Sequence, residues 1–217
     1  MRSVRPLLLA SVVAAFAVGV APPRDAAACE NEVELRLTPV QHIATAERDL
    51  NDGRVGEAAS RVRASYPNIR LLGADAPPLA QRAERIYALA LVRANGQLDA
   101  GLGWARAGNF EWAIETLREL DEKRPNDPRS QADLAEARTR VMRTRAEAVR
   151  TLEGLDQRDL LGSAFAYLAL SRARSADGDD GGAQAALRRC SMMSTDKRRC
   201  ALDLMGEPIA PGPPRRG

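Results

Sequence analysis

Apolar residues recur along most of the chain at intervals of three and four, the spacing that lines one face of an α-helix. The exceptions stand at the front. Leu7 to Val20 is an unbroken run of apolar and small residues, and Val33, Leu35 and Leu37 alternate with Glu34 and Arg36 as in a short extended segment. From Thr38 onward the pattern predicts helices almost to the end. The first spans 38–51, with Thr38 as cap, Pro39 in the first turn and Asp52-Gly53 as the stop. The next runs over 55–66 and ends at Pro67; an irregular connection with Gly73, Pro77 and Pro78 follows. A helix over 80–94 carries Ala83, Ile86, Tyr87, Ala90 and Leu91 on one face and stops at Asn95-Gly96. Helices over 98–107 and 111–123 are separated by Gly108-Asn109, and Pro125 and Pro128 bracket a turn. The remaining helices are expected over 129–141, 146–155, 163–175 and 182–193.

Composition agrees with an all-α chain. Only 4% of the 217 residues are aromatic, while Ala, Leu, Arg and Glu abound, so a β-sandwich or barrel is disfavoured. The first residues have another character. Arg2 and Arg5 precede the apolar run, Pro22 and Pro23 break it, and Ala26-Ala27-Ala28 offers a small-residue cleavage site, which is the layout of a secretory signal. The run is too short to span a bilayer, which takes roughly 17–25 residues. Without residues 1–28 the formal charge of +3 falls to +1, leaving no electrostatic footprint for nucleic acid. The expected organisation is a signal peptide at 1–28, an extended segment at 29–37, a helical repeat domain at 38–205 and a disordered Pro/Gly-rich tail at 206–217. Cleavage after Ala28 would make Cys29 the first residue; soluble export is expected, and lipid attachment at Cys29 is the alternative. In an oxidising compartment Cys190 and Cys200 either form a disulfide or remain two thiols.

A recurring pair of helices is visible when segments are laid on one another. In 97–125, Gly101 and Trp104 fall on the first helix, then come Gly108, Phe110, Ala113 and Leu117, and Pro125 closes the unit. This stretch resembles a tetratricopeptide repeat. Segments 38–67, 128–160 and 164–195 resemble it more loosely, and the helix over 80–94 has no partner in this division. The resemblance implies antiparallel helix hairpins stacked as a short solenoid. It also implies that Gly101 and Ala113 are small where helices press together, that Trp104 and Phe110 fill the space beside them, and that Gly108 turns the chain in a left-handed conformation. The concave wall, built in this family from the first helix of each unit, would hold a partner. By position it would present Leu98, Leu102, Ala105 and Arg106, then Ala132, Glu136, Thr139 and Arg140, then Phe165, Leu168, Arg172 and Ser175. Arginines among apolar side chains suit an acidic, partly hydrophobic protein segment.

Residues for catalysis are sparse. His42 is the only histidine, no Gly-x-Ser-x-Gly elbow occurs, and Asp177–Gly182 has Arg188 where a calcium loop places its bidentate Glu. The chain is therefore expected to be no enzyme and to take no cofactor or metal. It reads as an exported scaffold for protein–protein interaction in the bacterial periplasm or cell envelope, its partner and oligomeric state unknown. The alternatives are a lipid-anchored subunit of an outer-membrane assembly and a non-catalytic helical domain serving a cell-wall enzyme.

Overall fold

The structure, a computed structural model, describes residues 38–73, 75–98 and 106–200. The segments expected as signal peptide, extended stretch and Pro/Gly-rich tail lie outside them. Every regular element among the described residues is helical: α1 Pro39–Asn51, α2 Val55–Ser65, α3 Pro78–Arg93, α4 Arg106–Glu122, α5 Pro128–Arg138, α6 Met142–Asp156, α7 Ala164–Ala176 and α8 Asp180–Met193. Short 3-10 turns stand at Ile69–Leu71 and Lys197–Cys200. The all-α class expected from periodicity is the class observed. Among the described residues no helix is long and apolar enough to cross a membrane.

Local chemistry sets the helix starts. At α1 the Gln41 amide donates to the Thr38 hydroxyl, and the Thr38 amide donates back to Gln41 Oε1 at 2.7 Å, a reciprocal capping box followed by Pro39. Asp127 caps α5 ahead of Pro128, Ser163 caps α7, and the Asp179 carboxylate accepts from the Gly182 amide at the start of α8. Helix α3 ends where Asn95 and Gly96 both turn left-handed, at φ 56° and 70°.

Helix α1 packs on α2, α3 on α4, α5 on α6 and α7 on α8. The first helices of these pairs also meet in series, α1 with α3, α3 with α5 and α5 with α7. Two apolar clusters result. One joins α1 to α4 and takes Leu134 and Ala137 from α5; the other joins α5 to α8 and takes Ala132 and Ala135 from the same helix. Helix α3 is buried on every side along Ile86–Val92, because α1, α2, α4 and α5 all touch it.

One pairing differs from the sequence expectation. The hairpin placed at 97–125 does not turn at Gly108-Asn109, because α4 runs straight through both residues. Asn109 is wholly buried, and its side chain works across the loop instead. Its Nδ2 donates to the carbonyls of Gly96 and Leu98 at 2.8 Å each, and its Oδ1 accepts from Arg70 at 2.5 Å. The helix of 80–94, left without a partner by periodicity, is the one that pairs with α4.

Candidate functional site

The wall formed by α1, α3, α5 and α7 is tied together by ion pairs. Glu47 of α1 accepts from Arg82 Nε at 2.8 Å, Arg85 Nη1 at 3.1 Å, and Arg129 of α5. Burial acts to raise the Glu47 pKa, but the guanidiniums of Arg82, Arg129 and Arg85 outweigh it and hold the carboxyl below its ordinary range. Arg85 also reaches Asp133 of α5 at 2.5 Å. Further along, Arg93 of α3 grips Glu136 of α5 with two bonds, at 2.8 and 2.9 Å, and donates a third to the Leu50 carbonyl. The face of the same guanidinium lies 4.0 Å from the ring centroid of Phe165 on α7. One arginine thus links four helix ends or faces, and both partners of its ion pair are nearly excluded from solvent.

Beside this link opens a cavity of about 270 Å³, lined by Gly53, Val55, Arg93, Asn95, Glu136, Arg140, Phe165, Leu168, Ala169, Arg172 and Arg199. Its floor is apolar and aromatic. Its walls carry four guanidiniums against the single carboxylate of Glu136. Arg93 already holds that carboxylate. Burial pushes the Arg140 pKa down, with Arg106 adding to the effect and Glu136 opposing it. Arg172 is pushed down to about 10, first by burial and then by the positive charge of Arg140, against partial relief from Glu136. Arg199 in turn donates to Asp196 at 3.1 Å, so Arg93 and Arg199 are each ion-paired within the protein. An anion entering the cavity would meet forked donors in a partly desolvated setting, where charge-assisted hydrogen bonds are strong.

The C-terminal segment completes the rim. Beyond α8, Cys190 and Cys200 form a disulfide with their Cα atoms 5.9 Å apart. Thr195 Oγ1 then donates to Asp52 at 3.3 Å, and the Arg199 guanidinium lies against Gly53 in the α1–α2 turn. Gly53 adopts φ 68°, and a Cβ there would collide with Arg199 Nη1.

Of the residues the repeat resemblance placed on a partner-binding wall, Glu136, Arg140, Phe165, Leu168 and Arg172 line this one cavity. Arg106 lies next to it and donates to the carbonyl of Asn95, itself a lining residue. Leu98 packs half-buried against the first apolar cluster, and Leu102 lies outside the described residues. Ala132 is taken into the second cluster, and Thr139 donates its hydroxyl to the Glu136 carbonyl. Among the repeat positions, Gly101 and Trp104 lie outside the described residues. Phe110 is buried against Gly96, Ala113 and Leu117 enter the first cluster, Gly108 is helical, and Pro125 stands in the turn after α4.

Sequence reading missed Arg93 and Arg199. Arg93 belongs to the helix that periodicity left unpaired, so nothing aimed it at the wall. A signal existed: Arg82, Arg85 and Arg93 recur at helical spacing within the mostly apolar helix α3, as Glu47, Asp133 and Glu136 do among buried positions of α1 and α5. Arg199 follows no periodic pattern and reaches the cavity only because its chain segment folds back. Compared with protein-family models, with curated proteins and with solved structures, the chain matches none.

Proposed function

We propose that this chain is an exported, non-catalytic scaffold of tetratricopeptide-like hairpins whose cationic cavity receives an acidic, partly apolar segment of another protein in the bacterial periplasm or cell envelope. The observation that carries the reading is the concentration of Arg93, Arg140, Arg172 and Arg199 over a floor of Phe165, Leu168 and Ala169. Guanidiniums recognise carboxylates in two-point fashion, and the apolar floor accommodates the neighbouring aliphatic or aromatic side chain. A cavity of about 270 Å³ is smaller than the several hundred Å³ usual for drug-sized ligands and suits one or two side chains of a protein segment.

Consecutive hairpins, each touching the next through its first helix, support the repeat reading. The Cys190–Cys200 bond and the leader-like first 28 residues both suit export to an oxidising compartment. A photo-crosslinking residue in place of Leu168 tests the proposal in the native envelope. A protein captured by the otherwise wild-type chain and lost with Arg140→Glu supports it; capture indifferent to Arg140→Glu counts against the cavity. N-terminal sequencing of the mature protein tests the leader. A mature chain beginning at a lipid-modified Cys29 would instead make it an anchored envelope subunit.

A further inference from the structure

The chain leaves the described structure at the lip of the cavity. Arg199 lines it, and Cys200 is buried in the second apolar cluster and fixed to α8 through Cys190. The residues that follow, Ala201-Leu202-Asp203-Leu204-Met205-Gly206-Glu207-Pro208-Ile209, hold two carboxylates and five larger apolar side chains counting the proline, and no basic residue comes before Arg215. This is the chemistry the cavity is built to receive. The carboxylates match Arg140, and Leu202, Leu204 and Met205 match Phe165, Leu168 and Ala169.

Resting on the reading that the cavity takes acidic, partly apolar segments, we propose that its resident occupant is this chain's own segment 201–207, with Asp203 or Glu207 on Arg140, so that a partner must displace it. Reach is no obstacle. Three residues beyond Cys200 an extended chain has covered about 10 Å, enough to carry Asp203 into a cavity that residue 199 already lines. Tethering favours the internal segment over an equal one in trans, because a short linker gives an effective concentration on the order of millimolar. Arg140 is the receiving group of choice, since the carboxylate that acts on it, Glu136, is engaged by Arg93 on both oxygens.

Hydrogen exchange by mass spectrometry on the full chain and its Arg140→Gln variant provides the first test. Amides of 202–207 should exchange about tenfold or more slowly than an unstructured chain, and lose that protection in Arg140→Gln while α5 and α7 keep theirs. Free-chain exchange in the wild type overturns the proposal, as does protection that the variant leaves intact. The second test titrates a labelled peptide of residues 201–209 onto the full chain and onto its Asp203→Asn/Glu207→Gln variant. Binding to the variant about tenfold or more tightly than to the wild type supports self-occupancy. Equal binding to both, abolished by Arg140→Gln, overturns self-occupancy and leaves the cavity a receptor for acidic segments. Binding to neither sinks both readings.

Discussion

At the scale of single residues, buried charge is the feature with the clearest consequences. Glu84 of α3 is only 8% exposed, and burial pushes its carboxyl from 4.5 up to about 7, with Lys123 pulling it down and Glu119 pushing it up. A carboxyl whose folded pKa exceeds its unfolded one stabilises the fold while protonated. That contribution is complete below about pH 4.5 and is lost as pH rises through 7. Gln at this position is neutral throughout. Urea unfolding of Glu84→Gln and wild type should therefore show the variant's advantage growing by roughly 2 kcal/mol between pH 5 and pH 8; a gap that does not change with pH contradicts the assignment. Arg93 presents the opposite case, a charge with every partner in place. Arg93→Met strands Glu136 in a site from which water is largely excluded, and should cost about 3 kcal/mol in the denaturant midpoint. That is the low end for a broken buried pair, because Arg140 also faces Glu136. Adding Glu136→Gln should recover at least half of the loss, and failure to do so would mean that the Phe165 stacking, not the ion pair, carries the effect.

At the scale of elements, the two glycines at opposite kinds of position separate turn chemistry from helix propensity. Gly96 holds φ 70°, and a Cβ there would lie 2.8 Å from Phe110 Cε2 and 2.9 Å from the Arg106 carbonyl oxygen. Gly154 lies within α6 with nothing within 4 Å of a built Cβ. Gly96→Ala should lower stability by about 2 kcal/mol or more, and Gly154→Ala should raise it by about 0.5–1 kcal/mol, both read from thermal or urea unfolding. Much of this level was legible beforehand. Capping residues and prolines placed α1, α2 and α5 to α8 within a few residues of where they lie, since those signals act through the local backbone. The break expected at Gly108-Asn109 was not legible as helix, because the Gly-Asn pair is a turn signature unless something distant rewards the helical state. Here the reward is tertiary: Asn109 satisfies two carbonyls of the α3–α4 connection and receives Arg70, itself stacked 5.0 Å from the Trp112 ring centroid. Asn109→Ala should cost about 2–3 kcal/mol by removing the donor that both carbonyls share and the acceptor of the Arg70 bond. A loss within a few tenths of a kcal/mol would place the tie elsewhere.

At the scale of the whole described chain, the candidate site exists because remote segments converge. Arg140, Phe165, Leu168 and Arg172 could be aligned from repeat spacing alone, since Arg140 stands two residues past α5 and the other three sit on α7. The other half of the cavity comes from the α1–α2 turn, the end of α3 and the segment after α8, which no local period connects. A covalent tie stands beside the last of these. The Cys190–Cys200 bond fixes the 3-10 turn at Lys197–Cys200 to α8, and from there Thr195 and Arg199 reach Asp52 and Gly53. A cross-link over a ten-residue separation should contribute about 2–3 kcal/mol by restricting the unfolded chain. Its second effect is positional, and the two effects can be told apart. In a Cys190→Ala/Cys200→Ala variant both side chains leave buried sites in the second cluster, so stability falls. If the bond also holds the rim, hydrogen exchange in the α1–α2 turn around Asp52 and Gly53 should quicken well before global unfolding, although that turn belongs to the other end of the chain. Loss of stability with unchanged exchange at Asp52 and Gly53 would show that the return of Arg199 to the first hairpin is held by its own contacts, and that the disulfide serves only the C-terminal pair of helices.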